Sequence, residues 1–305
     1  MAQQIVHIGQ RKTGSTWLQE IFLIAHAAGE MAYERDDLWR WHRKHDWKTA
    51  TDEDYDELSE ICARYAGKAA VLSLEGLSMR PPERVMNAVA KGLPKAKILM
   101  ATRNPRDYLV SSFSNSIISG GTKDVDAFAD KFAGHLKRSH NLTGWQAATN
   151  EAFGGRKIRF VPYEMLADKP RAYLAKISAF VDVDFEPYRI ETNRNSTPPG
   201  AVLELMRRMN TALEEEPHRL SRMREWNAMK YVLMNATSYA TELHGFFERY
   251  LEHFDMTFKL DALPPKLQKV TKPLMAPLVE LPMYKPYLAA YGLDDRSGSQ
   301  IDAAE

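Results

Sequence analysis

The sequence predicts an α/β fold: a mostly parallel central sheet flanked by helices on both faces, a three-layer sandwich with a helical C-terminal extension. Three observations carry this prediction. Short β-branched runs alternate with longer helical patterns up to about Val183, the order expected of βαβ units. Lys97–Thr102 (KILMAT) is a continuous apolar run, as a strand covered on both faces should be. Beyond Val183 the strand patterns stop, and residues 200–255 read as helical and rich in Met, Arg and Glu.

Each element follows in order. Gln4–Ile8 reads as a first strand, followed by a glycine-bearing loop and a helix through about Ala28. Thr51–Ala66 is helical, with Thr51 placed to cap it and acidic residues in its first turn, where they complement the positive end of the helix dipole. Ala69–Leu74 is a second strand, and Pro82 opens a helix to about Lys91, proline being well suited to a first helical turn. Lys97–Thr102 is the third strand, and Pro105 begins a helix to about Ser119. Lys157–Pro162 is a fourth strand, followed by a helix from about Pro170 to Val181. Residues 263–288 carry several prolines and read as irregular, and 294–305 as a frayed polar tail. The expected division is a core over 1–190, a helical extension or lid packed on it over 191–293, and a flexible tail over 294–305.

Composition narrows the function classes. The 305 residues are 44% hydrophobic and 27% charged, with a net charge of +1. These are values of a folded chain with no global attraction to nucleic acid, so any anion site must be local. A single cysteine, Cys62, excludes an intramolecular disulfide and a multi-cysteine metal site. It reads as a small core residue. No basic leader is seen, and no stretch approaches the roughly 18 apolar residues of a membrane span. The expectation is a cytoplasmic chain with no nucleic-acid partner.

Two segments carry chemistry. In IVHIGQRKTGSTWLQEIF a strand, a loop and a helix follow one another, and backbone N–H groups at such a helix start attract anions. Gly9 and Gly14 have the spacing of a G-x-x-x-x-G phosphate loop, but Ser15-Thr16 follow where Lys-Ser/Thr is usual. The lysine lies inside the loop instead, at Lys12. There it would approach the bridging side of a short phosphate chain. In the second segment, KILMATRNPRDYLVSSFSNSI, a strand delivers Arg103 to the carboxyl edge of the sheet, where α/β folds bind ligands. Its planar fork suits a phosphate, and Ser111 lies two turns along the next helix.

Together these segments resemble the 3'-phosphoadenosine-5'-phosphosulfate (PAPS)-dependent sulfotransferases, in a divergent branch of bacterial or Golgi-type texture. Lys12-Thr13-Gly14-Ser15-Thr16-Trp17 is similar to the family's 5'-phosphosulfate loop. Arg103-Asn104-Pro105-Arg106-Asp107 with Val110-Ser111 resembles its 3'-phosphate motif, and Val161-Pro162-Tyr163-Glu164-Met165 its strand-end tyrosine segment. The resemblance covers residues 4–183, with a weaker stretch near Asn193–Ser196. It implies that Lys12 contacts the bridging oxygen, and that Gly14, Ser15 and Thr16 hold the 5'-phosphate with Arg11 and Thr13 beside them. Arg103 and Ser111 would hold the 3'-phosphate, and Tyr163 would lie near the adenine. Trp17 would stack near the adenine or pack the helix. Glu164 would be a structural hydrogen-bonding residue. Arg11 stands where cytosolic members carry proline. The Arg-Lys-Gly segment that closes their cofactor site is not evident, and Asn193-Arg194-Asn195-Ser196 is its candidate replacement, with Arg194 on the nucleotide. No metal is required, and the product nucleotide would be 3'-phosphoadenosine-5'-phosphate (PAP).

Sulfuryl transfer to a hydroxyl or amine needs a base. The preferred one is Glu75, at the end of AAVLSLEG, with His42 and His45 in YERDDLWRWHRKHDW as competitors near a small-molecule or carbohydrate acceptor. His7 reads as a packed core residue. The alternatives are a nucleotide kinase on a phosphate-loop fold and a non-catalytic nucleotide-binding protein. Acceptor identity and oligomeric state have no signature in the sequence.

Overall fold

The computed structural model describes residues 3–46, 48–155, 157–191, 200–214 and 263–294. The chain divides into two compact units: Met1–Pro105 with Gly134–Thr192 and Pro264–Glu305, and Arg106–Ala133 with Asn193–Leu263.

The first unit holds a five-stranded sheet of order β2-β3-β1-β4-β5, parallel throughout. The strands are β1 (Gln4–Gly9), β2 (Ala32–Glu34), β3 (Ala70–Ser73), β4 (Lys97–Thr102) and β5 (Ile158–Pro162). Four match the predicted runs within a residue or so at each end. The edge strand β2 was not predicted: its Ala-Tyr-Glu carries no β-branched residue, and it is ordered by pairing with β3. The register sets Ile5 beside Val71, His7 beside Leu99, and Ala101 beside Val161.

Alternate side chains of each strand serve opposite faces. Val6, Ile8, Leu72, Ile98 and Met100 pack on one face beneath α3 (Asp52–Ala63), α4 (Pro82–Gly92) and α7 (Leu142–Phe153). Ile5, Val71, Leu99, Ala101 and Val161 pack on the other, beneath α1 (Ser15–Ala27) and α9 (Pro170–Val181). Being covered on both sides, β3 and β4 are apolar through their middles, and β1 is interrupted only by the buried His7. α2 (Asp36–Lys44) sends Leu38 and Trp41 into the first of these cores. Thr51 caps α3 in a capping box with Asp54, as its place in the sequence implied. Cys62 is buried, and burial pushes its thiol up to about 12.

Residues 263–294 are more ordered than their prolines suggested. α11 (Pro265–Thr271) and two 3₁₀ segments, Lys272–Leu278 and Pro282–Tyr287, each place proline in the first turn, where a missing N–H costs little. Met275, Leu278, Tyr284 and Tyr291 enter the core.

The second unit contains α5 (Pro105–Ile118) beyond its first residue, the start of α6 (Val125–Ser139) and α10 (Gly200–Glu214). Phe113, Ile117, Leu203 and Met206 form its core. Of the predicted helical stretch 200–255, residues 215–255 lie outside the described chain. Among the described residues no helix is long and apolar enough to cross a membrane.

Candidate active site

From β1 the chain runs through α1 to β2 on one side of the sheet; from β4 it proceeds to β5 on the other. The order therefore reverses between β1 and β4, and ligands of open α/β sheets bind outside the carboxyl ends of the strands at such a point. Gly9 and Thr102 end these two strands, so the fold brings both predicted segments to one place.

The loop 10–14 is tightly wound. A Cβ on Gly9 would stand 2.3 Å from Ser15 Oγ, so a larger residue there would push the Ser15 hydroxyl aside from the helix start. Gly14 has φ +71°, and a Cβ there would meet Leu166 Cδ2 at 2.6 Å and Tyr163 Cε2 at 3.2 Å. Lys12 is also left-handed, at φ 65°, a conformation that costs a non-glycine residue about 1–3 kcal/mol. Two hydrogen bonds oppose that strain. Thr13 Oγ1 donates to the Gln10 carbonyl at 2.6 Å, and Arg103 Nη1 donates to the Lys12 carbonyl at 2.7 Å.

Arg103 is held from several sides. Its backbone N–H donates to Gln10 Oε1 at 2.8 Å, and Gln10 Nε2 donates onward to the Ser139 carbonyl at 2.7 Å. Its carbonyl lies 3.0 Å from His140 Nε2. The following residue, Asn104, donates its amide (2.8 Å) and its Nδ2 (2.9 Å) to Glu164 Oε1. The guanidinium lies 4.6 Å from the centre of the Tyr163 ring. Its Nε is buried and has no hydrogen-bond partner among the described residues, a donor that an anion could satisfy.

Lys12 and Glu75 face each other electrostatically. Burial lowers the Lys12 ammonium pKa, Arg11 and Arg103 add to that, and Glu75 opposes it. Burial raises the Glu75 carboxyl, while Arg11, Lys12 and a hydrogen bond with Ser15 act against the rise. Glu75 begins the 3₁₀ turn Glu75–Met79 immediately after β3 and Leu74, at the predicted sheet edge. Ser15 and Thr13 are buried, and Thr16 and Arg11 are exposed.

His42 reaches the same turn: a Cβ on Gly76 would lie 2.6 Å from His42 Nε2. Its Nδ1 sits 3.2 Å from Arg80 Nη2. Arginine can only donate, so Nδ1 must accept and the proton lies on Nε2. Burial, then Arg80 and Arg11, pull its pKa down to about 4. His45 is tied at both nitrogens, to Asp54 Oδ1 at 2.7 Å and Glu57 Oε2 at 2.9 Å, and links α2 to α3.

The remaining predicted residues fall in several settings. Trp17 is buried; its indole N–H donates to the Ile190 carbonyl at 2.9 Å and its ring leans on Tyr173, so it packs α1. Glu164 is the hydrogen-bonding hub expected of it. His7 is fully buried, with Nδ1 2.8 Å from Ser73 Oγ. Ser111 is half-buried on α5, in the second unit. Arg194 lies outside the described residues. Gln10, His140, Arg80 and His135 join the site without belonging to the predicted site residues; burial, Arg138 and Arg11 lower the His135 pKa to about 4. Only Gln10 carried a signal, its position inside the loop.

The sulfotransferase-domain family model matches residues 2–249. A sulfotransferase from Alicyclobacillus acidocaldarius is 14% identical, with 77% of this chain and 95% of that chain covered and a TM-score of 0.45. A mouse sulfotransferase, SULT7A1 complexed with PAP, is 16% identical, with 83% and 90% covered and a TM-score of 0.42. No curated protein sequence matches the chain.

Proposed function

We propose that this chain, which belongs to the sulfotransferase domain family, takes its sulfuryl group from PAPS, with loop 10–14 and Arg103 holding the donor and Glu75 activating a hydroxyl or amine of a small-molecule or carbohydrate acceptor. The observation that carries this reading is the contact between the two motifs: Arg103 donates to the carbonyl of Lys12 at 2.7 Å. One cationic edge thus offers Lys12 to the leaving phosphate and Arg103 to the 3'-phosphate. The buried Arg103 Nε, unpartnered among the described residues, and the two close-packed glycines suit a bound anion.

PAPS supplies an activated sulfuryl group on a phosphate leaving group. The acceptor oxygen or nitrogen forms the new bond to sulfur, the bond from sulfur to the bridging oxygen breaks, and that electron pair goes to the 5'-phosphate of PAP. Lys12 neutralises the charge arriving there. Glu75 takes the acceptor's proton, and its burial brings its pKa closer to neutrality, which favours a general base. His42 holds its acceptor nitrogen against Arg80, which favours Glu75 as base and leaves His42 a hydrogen-bond donor. Arg11 and Thr13 belong to the same proposal, at the loop.

Incubating the chain with sulfur-labelled PAPS and a fractionated metabolite extract tests this. Label should pass to an acceptor with release of PAP, and Lys12→Ala should abolish most of that transfer. Transfer that survives Lys12→Ala unchanged would contradict the assigned role.

A further inference from the structure

Residues 263–294 lie beyond the family-model match, which ends at 249, yet they reach the heart of the candidate nucleotide site. Tyr291 is almost fully buried, and its hydroxyl donates to Glu164 Oε2 at 2.8 Å. The other oxygen of Glu164 accepts from the amide and side chain of Asn104, the residue after Arg103. Tyr284 and Tyr291 also place their hydroxyls 2.6 Å and 3.1 Å from Thr102 Oγ1, on the residue before Arg103. The C-terminal segment therefore grips both neighbours of the arginine.

We infer that Tyr291 is a positioning residue for recognition of the nucleotide's 3'-phosphate, acting through Glu164 and Asn104 on Arg103. The inference rests on the role proposed above for Arg103. A carboxylate with three donors has little freedom to rotate, so the peptide it holds is fixed in direction. Removing the tyrosine hydroxyl leaves Oε2 without that donor, and Glu164 can then swing away from Asn104. Arg103 keeps its guanidinium and its own bonds to Gln10 and His140 but loses the anchor on the residue that follows it. The lost function is selective: affinity for a nucleotide without a 3'-phosphate has no reason to change.

Titration calorimetry of wild type and Tyr291→Phe with PAP and with 5'-AMP separates this role from general stability. The preference of wild type for PAP over 5'-AMP should shrink about three- to tenfold in Tyr291→Phe, part of the value of one charge-assisted hydrogen bond. Tyr65→Phe is the control. It deletes a tyrosine hydroxyl donated to Glu34, and it should lower the melting temperature while leaving the preference intact. Glu164→Ala removes the whole link, so it should lose at least as much preference, and adding Tyr291→Phe to it should cost nothing further. A folded Tyr291→Phe with the wild-type preference would overturn the inference alone. Should Tyr291→Phe not fold, an unchanged preference in Glu164→Ala would overturn it equally. A wild-type protein indifferent to the 3'-phosphate would overturn both the inference and the role of Arg103 beneath it.

Discussion

The edge formed by β1 and β4 and the neighbouring turn after β3 are built on opposite plans. Around Arg103, side chains from distant segments (Gln10, His140, Glu164) hydrogen-bond to backbone. Such contacts fix where a loop lies and leave its guanidinium to meet a ligand. Around Glu75 the ionisable side chains act on each other, and burial shifts Lys12, Glu75 and His42 from their ordinary values. The first region is made to hold a shape and the second to hold unstable protonation states. Binding and chemistry can therefore be damaged separately, and substitutions in the two regions should fail in different ways.

The largest effect is expected at the chemical side. Lys12→Ala should lower turnover by about 10²–10³, the scale of one preorganised charge-stabilising donor, measured as release of PAP. Next, Glu75→Gln should slow turnover by about 10²-fold with little change in nucleotide affinity, as for loss of a general base. It should also stabilise the fold at neutral pH. The native carboxyl has a raised pKa, so the folded state releases its proton less readily than the unfolded chain, and stability falls as pH rises from the ordinary carboxylate value through the raised one. The gain from glutamine should therefore vanish in acid, which urea midpoints at two pH values would show.

Smaller effects should appear on the binding side. Arg103→Ala should weaken PAP by about tenfold, the value of a charge-assisted contact, and leave 5'-AMP nearly unchanged by calorimetry. Equal losses for both nucleotides would erase the contrast between the regions. Gly14→Ala should cost about 1–3 kcal/mol in urea unfolding, because the position is left-handed and its Cβ would strike Leu166.

The effect that is smallest at neutral pH is spread over the buried histidines. Desolvation lowers His7 and His140 from 6.5 to about 4. Between those values the unfolded chain takes up protons that the folded one refuses, so stability should fall as pH drops through that window. His140→Gln should flatten the slope in a urea–pH series.

What the sequence disclosed follows the same division. Every strand but the edge strand β2, together with α1, α3 and α9, was legible because periodicity and caps are local signals. The loop and Arg103 were legible because residues at fixed spacing lie on one strand–turn–helix unit. Glu75 was legible as a strand-end carboxylate. The partners that tune the site were not, since Arg80, His135, His140 and Tyr291 meet it only through long-range folding. Tyr291 contacts a residue 127 positions away. Residues 263–288 misled because prolines that begin short helices look, without tertiary context, like prolines that prevent them.

Lys12 and Arg103 are proposed to serve one doubly phosphorylated adenosine. Calorimetry comparing PAP with ATP, each with and without magnesium, tests it most directly. The account predicts tight binding of PAP that ignores magnesium and clearly exceeds that of ATP. Preference for ATP, strengthened by magnesium, would contradict it and point to phosphoryl transfer.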